Sequence, residues 1–111
     1  MTIYQTCLSE ALNYPDRDAY ISALALSSIW GDEGGDVPQA RIDWLGQLWD
    51  AAHRSCKEIA AAAGMSQRKL AERFAIPYKT MEDWCRGTRT PPVYTLMMMQ
   101  ECLGLVSHAP D

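Results

Sequence analysis

Apolar residues recur along this chain at the spacing of one helical face, in several separate segments. One such stripe, over residues 20–29, follows Asp16, a residue type favoured at helix N-caps, and ends before Gly31. A second stripe runs from Pro38 to Gly64, where the glycine suits the end of a helix. No segment shows the sustained alternation of apolar and polar positions that is typical of a half-buried strand. The pattern therefore predicts an all-α protein, a small helical bundle.

Proline and glycine residues mark where the helices of the first half should stop. Pro15 closes a short helical pattern, and residues 31–36 have the composition of an acidic, glycine-rich loop. The helices predicted in this half lie near residues 2–13, 16–30 and 38–53.

The second half has its own start signals. Ser66 suits an N-cap, and Met65 and Leu70 are placed as a hydrophobic staple around it. Thr90-Pro91 predicts the cap and first turn of a last helix, which continues to about residue 103. We therefore divide the chain into an acidic helical N-terminal extension (1–53), a second module (54–106) and a loose tail (107–111).

Charge is unevenly divided between these parts. The whole chain holds 10 Lys and Arg against 14 Asp and Glu, a net charge of −4, which argues against a plain basic nucleic-acid binder. Residues 1–53 hold two arginines against eight acidic residues, a net charge of −6. Residues 54–90 hold eight basic against four acidic residues, a net charge of +4. The two halves are therefore predicted to face different partners.

Residues 65–87 meet the steric requirements of two helices packed across a tight turn. Ala71 supplies a small residue where the helices would touch, and Ala75-Ile76-Pro77 supplies a short turn. The proline pushes the residue before it into an extended conformation and fixes φ at the start of the next helix. The apolar anchors at suitable spacing are Leu70, Phe74, Ile76, Met81 and Trp84. We expect the last two to be core residues, because they share one helical face.

These residues resemble the Cro-like (XRE-type) helix-turn-helix family of phage and bacterial repressors and antitoxins. The segment 66–74 (SQRKLAERF) is similar to the family's second helix, and 84–91 (WCRGTRTP) is similar to the exit from its recognition helix. The resemblance covers about residues 54–104, and it places the first and fourth helices of the fold near 54–64 and 92–103. Two residues depart from the pattern: Ala75 stands where the turn usually has glycine, and Cys85 where the exit usually has glutamate. An alanine at a positive-φ turn position is strained, so a slightly different turn is expected.

The resemblance implies how the module would meet double-stranded DNA. Its recognition helix, about Tyr78–Arg86, would lie in the major groove. The residues implied to face bases or the groove are Tyr78, Lys79, Thr80, Glu82, Asp83 and Arg86. The residues implied to contact phosphates are Gln67, Arg68, Lys69 and Arg89. Lys79 and Arg86 suit guanine edges or phosphates, whereas an acidic residue suits N4 of cytosine.

Several side chains have a second interpretation. Glu82 and Asp83 lie one turn away from cationic residues, so i,i+4 ion pairs with Arg86 or Lys79 are the alternative to base contact. The Met97–Met99 run covers three faces of one helix, so part of it is exposed or lies in an interface. For Trp30, Trp44 and Trp49 the alternatives are the core and a dimer contact.

Cysteine and histidine usage does not point to a metal. Four cysteines occur without CxxC spacing, at Cys7, Cys56, Cys85 and Cys102. Since no secretory signal is recognisable, we expect reduced and mostly packed thiols in a cytoplasmic protein. His53 and Cys56 would lie one turn apart and offer two ligands, but the remaining histidine, His108, falls in the predicted tail. No cofactor is expected. No membrane span is expected either, since the longest uncharged run, Ala19–Gly31, is shorter than the roughly 20 residues that a spanning helix needs.

The function predicted from these patterns is that of a sequence-specific DNA-binding transcriptional regulator. An enzyme is not predicted, because the chain lacks a glycine-rich phosphate loop and a nucleophile with a base at recognisable spacing. We expect a homodimer, since paired half-sites raise affinity and specificity. The acidic N-terminal extension is a possible binding surface for a protein partner. The alternative is a protein-interaction module, an antitoxin or adaptor that uses the same fold with weak or no DNA binding. The net charge of −4 and the acidic residues of the recognition face favour that alternative.

Overall fold

The computed structural model describes residues 1–31 and 35–110, so the centre of the predicted acidic loop, residues 32–34, lies outside the described residues. Within the described ranges all regular structure is helical, which confirms the predicted all-α class. The elements are α1 (Ile3–Asn13), α2 (Arg17–Ala25), a 3-10 helix (Ser28–Trp30), α3 (Gln39–Ala52), α4 (Cys56–Ala62), α5 (Gln67–Arg73), α6 (Tyr78–Arg86) and α7 (Val93–Cys102). None of these helices has the length and apolar character needed to cross a membrane.

The described chain forms two units. The second unit is the continuous segment Arg54–Leu105, and the first unit combines Met1–His53 with the chain from Val106 onward. Each unit has its own set of buried apolar side chains. The first unit buries Cys7, Ala11, Tyr20, Leu24, Ala25, Trp44, Leu45, Leu48, Ala51 and Val106. The second unit buries Cys56, Ile59, Ala60, Leu70, Ala71, Met81, Met97 and Met99.

The C-terminal residues differ from the predicted loose tail. Val106 is only 6% exposed. The indole N–H of Trp44 donates to the carbonyl oxygen of Ser107 at 2.8 Å, and the His108 ring stacks on Tyr4 with ring centroids 4.1 Å apart. Residues 106–110 therefore belong to the first unit, to which they contribute a buried apolar side chain, the acceptor of the Trp44 indole and a ring stacked on Tyr4.

Helix α2 is shorter than the helix predicted over residues 16–30. Its start is confirmed, since the Asp16 carboxylate accepts a hydrogen bond from the N–H of Ala19 at 2.8 Å. Its end was predicted wrongly: α2 stops at Ala25, and a separate 3-10 turn follows. The Trp30 indole donates to the carbonyl oxygen of Leu24 at 2.8 Å, and the Arg41 guanidinium donates to that of Ala25 at 3.2 Å. These side chains satisfy carbonyls that a longer helix would have paired within itself.

The three tryptophans of the first unit all find acceptors within it. Trp44 is 2% exposed, and Trp30 and Trp49 are half-buried. The third indole, that of Trp49, donates to the carbonyl oxygen of Tyr14 at 2.9 Å. All three therefore serve as internal packing residues of the first unit.

The apolar stripe from Pro38 to Gly64 is divided between two helices. Ser55 begins α4 with a capping box: its hydroxyl accepts from the N–H of Glu58 at 3.2 Å, and the Glu58 carboxylate accepts from the N–H of Ser55 at 3.0 Å. These hydrogen bonds favour the ionised carboxylate and hold the pKa of Glu58 below its ordinary value. The local cap thus overrides a continuous apolar pattern.

Helices α4 to α7 end in the same way. In each, the first or second residue after the helix has a positive φ, and the N–H of the residue that follows it bonds back to a carbonyl five residues earlier, as in a Schellman motif. The four positive-φ residues are Gly64, Ala75, Gly87 and Gly104. Gly64 is therefore confirmed as the end of a helix, and Ala75 occupies a glycine position with φ 55°. Ser66 is confirmed as the N-cap of α5, accepting from the N–H of Lys69 at 3.1 Å.

The start of the last helix was predicted two residues too early. Helix α7 begins at Val93 with Pro92 as its N-cap residue, not at Thr90-Pro91. The reason is the second proline, because a residue that precedes proline is driven out of the helical region. Pro91 therefore lies before the helix, and it is buried.

Candidate nucleic-acid interface

Helix α6 is anchored by its buried side. Met81 is fully buried and Trp84 packs against the same core from a half-buried position, so both are core residues as their spacing predicted. The six residues implied to face DNA lie on the remaining surface of this helix. Tyr78, Lys79 and Arg86 are exposed, and Thr80, Glu82 and Asp83 are half-buried.

Asp83 lies at the centre of the polar contacts on α6. Its carboxylate lies 3.2 Å from Nζ of Lys79, one turn earlier, and 4.0 Å from Nε of Arg89, beyond the end of the helix. Its carbonyl oxygen accepts the N–H of Thr88 at 2.9 Å. The Asp83 side chain is 15% exposed, whereas those of Lys79 and Arg89 are 73% and 76% exposed. The carboxylate is thus largely covered, while both cations remain open to solvent.

Glu82 makes a second ion pair on the same helix. Its carboxylate lies 3.7 Å from Nη2 of Arg86, whose side chain is 67% exposed. Both acidic residues therefore form the i,i+4 pairs that were the alternative to base contact. An exposed i,i+4 pair stabilises a helix by only about 0.3–0.5 kcal/mol, and the Arg86–Glu82 pair, with side chains 67% and 30% exposed, is the more open of the two. A phosphate or a base edge can consequently replace the Glu82 carboxylate as the partner of Arg86 at little cost.

A stacking contact links α5 to the start of α6. The Arg68 guanidinium lies over the Tyr78 ring, 4.2 Å from its centroid, in a cation–π arrangement. Of the other phosphate candidates on α5, Lys69 is exposed and Gln67 is half-buried at the first helical position. The structure thus brings Arg68 to Tyr78 and joins Lys79, Asp83 and Arg89 in one cluster.

The link between Arg89 and Asp83 is the feature that sequence reasoning missed. Lys79 and Asp83 are four residues apart, so their pairing follows from helical spacing. Arg89 lies outside the helix and reaches the carboxylate only because Gly87, with φ 80°, turns the chain back. The sequence signal for such a reversal is the glycine that follows a basic residue at a helix end.

Cys85 does not belong to this polar surface. It is half-buried, and its Sγ lies 3.9 Å from Sδ of Met81, while Sγ of Cys56 lies 3.3 Å from the same sulfur. Burial, and then the neighbouring Cys85 thiol, raises the pKa of the Cys56 thiol to about 12, so it is protonated at neutral pH. Cys85 and Cys56 therefore pack as small apolar residues. Cys7 is also buried, Cys102 is exposed, and all four cysteines are free.

The two side chains considered as metal ligands have other roles. A ring nitrogen of His53 lies 2.9 Å from the carbonyl oxygen of Ala11, and its ring stacks on Trp49 with centroids 4.0 Å apart. Cys56 packs in the core of the second unit. Across residues 1–31 and 35–110, no three His, Cys, Asp or Glu side chains form a group that could hold a metal ion.

Comparison of the chain with family models, with curated proteins and with solved structures found no match.

Proposed function

We propose that the Arg54–Leu105 unit is a helix-turn-helix module that binds double-stranded DNA sequence-specifically, and that the protein is a cytoplasmic transcriptional regulator. Helices α5 and α6 are the two helices of the motif, and α6 enters the major groove. The observation that supports this most is the exposed, cation-rich surface around α6. Lys79, Arg86 and Arg89 expose at least two thirds of their side chains there.

The residues of this surface divide into two proposed roles. Gln67, Arg68, Lys69 and Arg89 contact phosphates and set the position of the module, because such contacts carry no sequence information. Lys79 and Arg86 donate to guanine edges, and Tyr78 and Thr80 line the groove beside them. Glu82 and Asp83 either accept from cytosine N4 or continue to orient the cations with which they are paired.

The proposal predicts a defined response to salt. Each neutralised phosphate contributes about −0.9 to the slope of log K against log [salt]. Gln67 is uncharged, so the three cationic phosphate contacts of one module, at Arg68, Lys69 and Arg89, give a slope of roughly −3, and a homodimer on two half-sites gives about twice that value. A binding mode that lacks phosphate contacts gives a slope near zero.

Selection from random duplexes at low salt tests the proposal with the whole chain. We expect an enriched sequence, and we expect Lys79→Ala with Arg86→Ala to abolish its preferential retention. Lys57→Ala is the matched control, since Lys57 is an exposed cation on α4 outside the proposed surface. No enriched sequence, or an equal effect of the control, would exclude DNA recognition by α6.

Asp83→Asn separates the two roles of that carboxylate. The substitution leaves the main-chain carbonyl oxygen that accepts from the N–H of Thr88 in place, and it removes the side-chain charge that faces Lys79 and Arg89. If Asp83 only pairs with the cations, its replacement removes a negative charge that repels phosphates, so the affinity for all duplexes should rise together. If Asp83 reads cytosine, discrimination at one base pair should fall instead, typically by about 1–3 kcal/mol.

A protein-interaction module, an antitoxin or adaptor, is the second candidate function. Both carboxylates of α6 lie on the proposed DNA face, where unpaired negative charge would repel phosphates. The acidic first unit, in the same view, binds a protein partner through its surface charge. Duplex retention with no preferred sequence and a salt slope near zero would favour this function over the first.

A further inference from the structure

Helix α7 has one buried side and presents an apolar row on the other. Met97 and Met99 are buried, whereas Met98 is 58% exposed and Tyr94, one turn earlier, is 68% exposed. Cys102, one turn after Met98, is also exposed. Residues spaced by four lie above one another on a helix, so Tyr94, Met98 and Cys102 form one row. The predicted exposure of part of the methionine run is thus confirmed.

An apolar groove of about 240 Å³ lies beside this row. One wall comes from the turn that follows α5, and the other from α7 itself. The groove is lined by Phe74, Ile76, Thr95, Met98, Met99 and Cys102. Protruding apolar side chains and an apolar recess therefore share one face of the second unit.

We propose that this face is the contact between two copies of the chain, paired about a two-fold axis with α7 against α7. A two-fold interface must be self-complementary, so the same patch has to supply both the protruding groups and the recess that receives them. The α7 face meets that condition, with the Met98 side chain of each copy entering the groove of the other. A different protein that inserts a side chain into the groove would also have to accommodate the protruding side chains of Tyr94 and Met98 beside it.

Charge supports a second copy as the occupant. Residues 93–100 contain no charged residue, whereas 22% of the whole chain is charged. Copies that each carry a net charge of −4 repel one another over most of their surface, and like charges in an interface are costly. Helix α7, in which Glu101 is the only charged residue, is where two such copies can approach.

The size of the face sets the strength of the contact. Helix α7 has ten residues and is therefore about 15 Å long. We therefore expect two such helices with their flanking grooves to bury an area at the low end of specific interfaces, below about 1,200 Å². The dimer should accordingly be weak and dependent on concentration, with one measurable monomer–dimer equilibrium.

Sedimentation of the full chain over a concentration series, without DNA, tests this proposal. We expect dimerisation that Met98→Asp weakens at least tenfold. Leu26→Asp is the matched control, because Leu26 is 78% exposed on the first unit and should leave the equilibrium unchanged. Thermal melts of both variants establish that they remain folded. A wild-type chain that stays monomeric at every concentration, or equal effects of the two substitutions, would overturn the proposal.

Alkylation of Cys102 by a maleimide provides a readout that does not depend on a substitution in the interface. The Cys102 thiol lines the groove, so its rate of alkylation should fall at concentrations where the dimer is populated. The fall should be absent in Met98→Asp. A rate independent of concentration in the wild-type chain would place the contact elsewhere. Neither experiment contains DNA, so their failure is distinguishable from failure of the proposed DNA binding.

Discussion

The turn between α5 and α6 contains a residue whose backbone conformation costs free energy. Ala75 has φ 55°, the one positive φ at a non-glycine residue among residues 1–31 and 35–110. The left-handed conformation costs an L-residue about 1–2 kcal/mol. Glycine adopts it freely, although the added freedom of the unfolded chain removes about 0.4–1 kcal/mol of that gain. We therefore expect Ala75→Gly to raise the free energy of unfolding by about 0.5–1 kcal/mol.

Urea denaturation followed by tryptophan fluorescence measures this difference. The midpoint should move to higher urea at an unchanged slope, because the surface exposed on unfolding stays the same. Gly64→Ala is the reverse control: Gly64 has φ 68° in the same type of helix end, and an added Cβ there meets no atom within 4 Å. Its cost is therefore conformational alone, about 1 kcal/mol.

The two substitutions are informative together. If Ala75→Gly leaves the midpoint unchanged or lowers it while Gly64→Ala shows its expected loss, the turn stores no strain at Ala75 and the reasoning fails. A double variant close to the wild-type stability would support the same conformational origin for both effects.

Three further substitutions test other parts of the fold. Tyr20→Phe removes a buried hydrogen bond of 2.7 Å to the carbonyl oxygen of Cys7 and should lower the free energy of unfolding by about 1 kcal/mol, with no change in midpoint contradicting it. Leu70→Ala empties a fully buried site and should cost about 3 kcal/mol in the same assay, so a cost below about 1 kcal/mol would contradict core packing. Glu58, whose pKa the Ser55 cap lowers from 4.5, stabilises the fold above that pH and loses this contribution as the pH falls through its lowered pKa. Thermal melts across the acidic range should therefore show a flatter pH dependence for Glu58→Gln, and an identical curve would be the contrary result.

Local chemistry made much of the fold predictable from sequence. Asp16 and Ser66 start helices because a short polar side chain can accept an N–H that the helix leaves free, and Gly64 ends one because it tolerates a positive φ. The end of α2 was not predictable, because it depends on donors from Trp30 and Arg41, the latter 16 residues away along the chain. Helix ends that depend on residues within one turn could therefore be predicted from sequence, whereas an end that depends on side chains further away could not.

The candidate site follows the same division. The pairing of Lys79 with Asp83 and of Glu82 with Arg86 follows from helical spacing alone. The return of Arg89 to Asp83 and the stacking of Arg68 on Tyr78 depend on the path of the chain between helices. Spacing therefore identified which residues share a face, but the connection between neighbouring elements decided which of them touch.

The two ends of the chain meet in one unit, and this has a consequence for synthesis on the ribosome. The segment Arg54–Leu105 is continuous and contains its own core, so it can fold as soon as its last helix has emerged. The first unit, although most of it is translated earlier, lacks Val106 and the Ser107 acceptor of Trp44 until those residues have also emerged, because 63 positions separate that donor from its acceptor. The half of the protein that is made first is therefore the half that is completed last.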